Sequence, residues 1–382
     1  ALSLRSEDQG SRLRASPGFR DVRTGDDAFD GELVVEGSAA IAHALFDGET
    51  RRLTLLAFRG CTPQDGAWSS ARSMPASVSL HEGTLAARLT HGARARMASE
   101  LAACVRTLLE LARCLQVPDD CAPRLASNLR RDPLPAVRLA NLRALLGEFP
   151  QHPVQLEAVT AAAGDADAEV RLEAALALGA KGQRILLELA SDPSTDPAAV
   201  ARALASLGAG LPPETGCAIL EDALRGGRSR TARAALEALG RVGGRLVLEA
   251  LSRVLSAEDG GMAAAAADAL GATSDAEAEP HLLGALGRSR DEAVREAAAR
   301  ALGSTGTAKA VPALRDLFDD AGEDRAVRRA ARTAIASIQA RLPGGLPGRL
   351  ALAGADAGRL AFPADSGQLS LEEAEPRVEP DD

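Results

Sequence analysis

The sequence predicts a mostly α fold: a right-handed α-solenoid of about seven helical hairpins, preceded by a small α+β domain and followed by a low-complexity acidic tail. Three observations predict it. A Leu-Gly pair recurs at Leu146-Gly147, Leu178-Gly179, Leu207-Gly208, Leu239-Gly240, Leu270-Gly271 and Leu302-Gly303, with glycine steps of 32, 29, 32, 31 and 32. A second marker keeps the same phase: Val137-Arg138, Val170-Arg171, Val200-Ala201, Thr231-Ala232, Met262-Ala263, Val294-Arg295 and Val327-Arg328. Aromatics make up only 2% of the chain, and the apolar matter is mostly Ala, Leu and Val, which suits closely packed helices. A repeat of this length marks a helical array, because one hairpin cannot bury its apolar face alone.

Residues 1–116 differ from the rest and read as the α+β domain. Phe19, Phe29, Phe46, Phe58 and Trp68 all fall in this part. "GELVVEG" (Gly31–Gly37) is a β-branched run bounded by glycine, which predicts a strand. "SAAIAHALF" (Ser38–Phe46) follows with an N-cap serine and helical apolar spacing. "GETRRLTLLAFR" (Gly48–Arg59) predicts a second helix, and Gly60–Pro75 a loop. "SVSLHEGTLAARL" (Ser77–Leu89) reads as a hairpin turning at Glu82-Gly83. Ala93–Gln116 carries Met97, Leu101, Cys104, Leu108, Leu111 and Leu115 at helical steps.

Residues 117–342 form the repeat array. In "AEPHLLGALGRSRDEAVREAAARALGSTG" (Ala278–Gly306), Leu282, Leu283 and Leu286 stripe a first helix. Asp291 is placed to cap a second, along which Val294, Ala298, Ala301 and Leu302 repeat. Gly303 is expected to end that helix as a C-terminal cap in the left-handed region. "DAEVRLEAALALGAKG" (Asp167–Gly182) and "DEAVREAAARALGSTGTAKAVPALRDLF" (Asp291–Phe318) resemble the short HEAT-like repeats of the phycobilisome-lyase type. The resemblance covers about residues 118–342 and implies a solenoid of armadillo-like helical hairpins that binds protein segments. Residues 1–116 resemble N-terminal segments of uncharacterised bacterial HEAT-repeat proteins.

Residues 343–382 are a Gly/Pro-rich tail with eight acids and three arginines. "GRLAL" (Gly348–Leu352), "GRLAF" (Gly358–Phe362) and "GQLSL" (Gly367–Leu371) each set apolar residues two apart, the strand period. They are expected to pair with one another, with the N-terminal sheet, or with another chain by strand addition.

Composition limits the function classes. The net charge of −9 argues against a nucleic-acid binder, which usually shows a basic patch. No run of 18 apolar residues and no signal peptide are present, so a cytoplasmic bacterial protein is expected. Residue 1 is Ala and "ALSLRSE" reads like the middle of a strand, so the chain is also compatible with a lost upstream anchor. The five cysteines show no CxxC spacing and read as reduced, buried thiols. His43, His81, His91, His152 and His281 are scattered, without HxxH or HExxH spacing. "GSTGTAK" (Gly303–Lys309) lacks the phosphate-loop spacing, and no GxSxG occurs. No catalytic set, metal or cofactor is therefore expected.

The first functional expectation is a non-enzymatic scaffold whose second helices carry Arg138, Arg171, Arg202, Arg233, Arg295 and Arg328 toward an acidic protein partner. The competing structural expectation is that Arg138, Arg171, Arg295 and Arg328 bond turn carboxylates such as Asp132, Asp165, Asp291 or Glu323 and tie repeats together. The second functional expectation is an enzyme or accessory factor. Its site would lie between residues 1–116 and the first repeats, around Trp68, His43, His81 or His91.

Overall fold

The computed structural model describes residues 3–6, 21–58, 77–81, 84–88, 97–256, 260–341, 351–352 and 360–361. They belong to two compact units, Ala1–Leu186 and Leu187–Asp382.

In the first unit β1 (Ser3–Ser6) pairs antiparallel with β2 (Leu33–Glu36), placing Leu4 opposite Val35. Between them lies α1 (Asp27–Asp30), capped by the Asp26 carboxylate on the N–H groups of Ala28 and Phe29. Ser38 caps α2 (Ala39–Leu45) by accepting the Ile41 N–H, as its sequence predicts. α3 (Gly48–Phe58) follows. β3 (Ser77–His81) and β4 (Thr84–Arg88) make the expected antiparallel hairpin, with Leu80 opposite Leu85. Its turn, Glu82-Gly83, lies outside the described residues, as do Phe19, Trp68 and His91. α4 (Met97–Cys114) ends two residues before the predicted stretch does, and residues 93–96 of that stretch lie outside the described residues.

Part of the aromatic bias now has a structural reason. Phe29 and Phe46 sit 5.2 Å apart, ring centre to ring centre, among buried Val35, Leu45, Leu53 and Leu111. These large side chains give a small α+β assembly a core of its own. α5 (Ala122–Arg131), α6 (Pro135–Glu148), α7 (Pro153–Ala162) and α8 (Ala168–Leu178) are the first repeat helices, and α2 packs on α5 and α6. Three polar contacts fix that joint. Asn128 donates to the His43 and Ala44 carbonyls at 3.0 and 3.2 Å, and Ala40 N–H donates to Glu148 at 3.0 Å.

α9 (Gln183–Ser191) leads to the second unit, which holds α10 (Pro197–Leu207), α11 (Pro213–Arg225), α12 (Ser229–Val242) and α13 (Arg245–Leu255). It continues with α14 (Gly260–Ala272), α15 (Glu279–Arg288), α16 (Glu292–Thr305), α17 (Val311–Asp319) and α18 (Arg325–Arg341). First and second helices alternate along the chain. The second helices stack in order, α10 on α12, α12 on α14, α14 on α16 and α16 on α18. Their contact faces are largely alanine, including buried Ala235, Ala266, Ala298 and Ala331.

The Leu-Gly marker required correction. Gly179 and Gly208 do cap α8 and α10, at φ +57° and +50°, where glycine avoids the side-chain clash. Gly240, Gly271 and Gly303 lie inside α12, α14 and α16 instead. There the next helix leaves no room for a side chain. A Cβ would stand 2.7 Å from the Ala269 carbonyl oxygen at Gly240, 2.8 Å from Ala301 Cα at Gly271, and 3.2 Å from Ala334 Cα at Gly303. In the sequence, a glycine that ends a helix and one that admits a neighbouring helix look the same.

In the tail, β5 (Ala351–Leu352) pairs antiparallel with β6 (Leu360–Ala361), so the first two tail segments meet each other. The third segment lies outside the described residues. No described helix is long and apolar enough to cross a membrane.

Candidate interaction surface

Two kinds of acidic residue shape each repeat turn. Asp167, Asp196 and Asp291 cap α8, α10 and α16 by accepting N–H groups of the first turn. Asp132 and Asp165 fold the turn ahead of the helix, accepting the N–H two residues on, from Leu134 and Asp167. The second kind has an oxygen to spare, and each takes a guanidinium from earlier in the chain.

Arg138 grips Asp165 with two parallel bonds, Nε to Oδ2 at 2.8 Å and Nη2 to Oδ1 at 2.7 Å. Its remaining Nη1 donates to the carbonyls of Asp132 and Pro133 in its own turn. Burial alone would raise the Asp165 carboxyl, but the Arg138 bonds, the Asp167 N–H and the Arg171 charge together hold it below the usual range. In the second unit Arg295 makes a simpler pair, with Nη2 2.8 Å from buried Glu323 and its buried Nε without a partner. Arg171 and Arg328 bind carbonyls instead: Arg171 those of Asp165 and Ala166, Arg328 that of Phe318. Asp291, expected as a partner for such an arginine, serves as the cap of α16.

The structure adds a residue that the sequence did not point to. Arg51 on α3 reaches Asp132 with two bonds, at 3.0 and 3.2 Å, and Asp26 with a third at 2.9 Å. The Arg51 and Asp132 side chains are only 3% and 1% exposed. Arg51 thus fills, from the α+β part, the slot that Arg138 fills for the following turn. One signal was available: Asp132 stands before its helix as Asp165 does, and no earlier repeat supplies its guanidinium. Thr195 stands where the ladder would continue, with no carboxylate to offer.

The exposed side chains of the second helices form a different set. Arg233 on α12 is solvent-exposed, and Arg202 on α10 is half-buried. On α16 Arg300 reaches back to Asp268 of α14 at 2.7 Å, and Arg143 of α6 reaches forward to Glu173 of α8 at 3.5 Å. The six candidate arginines therefore do not share one environment. Four are tied into turns, and Arg233 is the most open to a partner.

A cavity of about 470 Å³ lies beside α2, lined by Asp21, Val22, Arg23, Gly37, Ser38, Ala39, His43 and Glu148. Burial lowers the His43 pKa against the pull of Asp30, and its Nδ1 has no hydrogen-bond partner. Of the cavity's charged groups, Asp21 and Arg23 pair with each other at 3.3 Å, and Glu148 holds the Ala40 N–H. No group of three His, Cys, Asp or Glu placed to hold a metal occurs among the described residues.

Residues 248–336 match the HEAT repeats family. Helices outside that range alternate in the same way along the chain. Among solved structures, human deoxyhypusine hydroxylase in complex with glycerol is similar at 21% identity. That match covers 58% of this chain and 96% of that one, at a TM-score of 0.28. No curated protein matches the chain.

Proposed function

We propose that this protein is a non-enzymatic scaffold that binds a protein partner on the face formed by its second helices. The reading takes the repeats as a right-handed solenoid of seven hairpins of the phycobilisome-lyase type, in which that face is concave. The observation that carries it is the helix-on-helix stacking of repeats matched in part by HEAT repeats, which typically mediate protein interaction. Arg233 and Arg202 are the contact residues of the six. Arg138, Arg171, Arg295 and Arg328 support the face by holding its turns. The third tail segment, "GQLSL", offers a second contact by strand addition to a partner's sheet edge.

Affinity capture with the full chain, read by mass spectrometry, tests the reading. Arg233→Glu should remove the captured partner while helix content and melting temperature hold. Arg138→Ala should lower the melting temperature before it affects capture. Capture indifferent to Arg233, Arg202 and every other exposed position of the second helices would refute the proposal.

A further inference from the structure

The last helix presents the most one-sided charge among the described residues. α18 carries Arg325, Arg328, Arg329, Arg332 and Arg341 and no acid. Two of these are absorbed locally: Arg328 by the Phe318 carbonyl, Arg341 by the carbonyls of Gly303 and Gly306. The side chains of Arg325, Arg329 and Arg332 are exposed and have no hydrogen-bond or ion-pair partner among the described residues. Their spacing of four and three residues puts them on one helix face, opposite buried Val327, Ala331, Ala334 and Ile338. The neighbouring repeat does not neutralise them. Arg300 stands one repeat back from Arg332 and is already bound bidentately to Asp268.

The same chain carries the complementary charge. Residues 372–382, "EEAEPRVEPDD", hold six acids and one arginine. Only 30 residues, 342–371, separate this segment from the end of α18. Fully extended, such a stretch reaches up to about 100 Å, whereas a helix of this length measures about 25 Å. A tethered ligand has an effective concentration of about a millimolar, so weak carboxylate–guanidinium pairs suffice for occupancy. A nucleic acid fits the site less well. The strip is one helix wide and carries three arginines.

We propose that the acidic end of the chain, residues 372–382, binds the Arg325–Arg329–Arg332 face of α18, so that the last helix of the array is covered by its own chain. This goes beyond the scaffold reading and fails separately from it. That reading fails on capture of a partner at Arg233, this one on a contact within a single chain.

The chain's scarcity of lysine makes the test clean, since only Lys181 and Lys309 are present. Arg329→Lys keeps the charge and introduces an amine for zero-length carbodiimide coupling. In the full chain, mass spectrometry of the monomeric fraction should find position 329 joined to a carboxylate of residues 372–382. The yield should fall several-fold at 0.5 M salt, roughly where screening shrinks to a few ångströms. In parallel, a fluorescent ten-residue polyglutamate probe should bind about tenfold more tightly once the six acids of 372–382 are changed to their amides. Arg325, Arg329 and Arg332→Gln together should abolish that gain without changing helix content. Coupling of position 329 only to other carboxylates, or only between two copies, would overturn the proposal. So would a probe bound equally by the parent and the amide variant.

Discussion

The turns of the first unit and the helix stack of the second join their repeats largely by different means, Arg295–Glu323 being an ion pair of the first kind within the second unit. At Arg51–Asp132 and Arg138–Asp165 the link is a forked guanidinium on a carboxylate that also shapes the turn. At Gly240–Ala269, Gly271–Ala301 and Gly303–Ala334 it is the removal of a side chain, which lets one helix backbone rest on the next. The first device is directional and depends on charge. The second depends on volume, with the least room for an added carbon at Gly240 and Gly271. The difference teaches that a repeat array can keep one period while changing what holds successive repeats, provided each joint buries its surface without leaving a polar group unpaired.

The sharpest way to break the comparison is at Arg51. Arg51→Ala strands buried Asp132, and loss of one partner of such a pair costs about 4 kcal/mol. Urea denaturation should show that loss, with Asp132→Asn costing a similar amount and the double variant little more than either. A loss below about 1 kcal/mol would put the pair in the class of exposed ion pairs.

The volume-limited joint comes next. Gly271→Ala forces its Cβ against the Ala301 backbone and should destabilise by about 2 kcal/mol. Gly147 belongs to the same Leu-Gly series but meets nothing within 4 Å, and it lies inside α6. Gly147→Ala should therefore stabilise by about 0.5–1 kcal/mol, the helix-propensity gain. Effects of one sign at both positions would show that the close approach at Gly271 is not what selects glycine there.

The smallest expected effect is a pH dependence. The folded Asp165 carboxyl titrates below its ordinary value of 3.8. Stability from its pairing is thus full above that value and is lost as pH falls through the lowered folded pKa. The stability gap between the parent and Arg138→Ala should stay constant from neutrality down to about pH 4 and close below it. A gap that persists in strong acid would mean that Arg138 acts through its carbonyl contacts alone.

Much of this architecture was legible in local pattern. The Ser38, Asp167 and Asp291 caps, the strand at Leu33–Glu36 and the hairpin register all follow from residues within a few positions of one another. Bonds from Arg138, Arg171, Arg295 and Arg328 to turn carboxylates were one of two expectations, and Asp165 and Glu323 are the partners of Arg138 and Arg295. Arg171 and Arg328 departed from that pattern, Nη1 of Arg171 donating to the Asp165 and Ala166 carbonyls and Nε of Arg328 to that of Phe318.

By itself, the sequence determined the period, the alternation of first and second helices and the apolar stripes, because these are set by spacing along a single chain segment. Only the tertiary structure decided which glycines end a helix and which receive one. It alone decided that Arg51 completes the turn at Asp132 and that the side chains of three arginines of the last helix meet no partner among the described residues. Each of those outcomes depends on which backbone or charge arrives from a distant part of the chain, and no local periodicity records such an arrival.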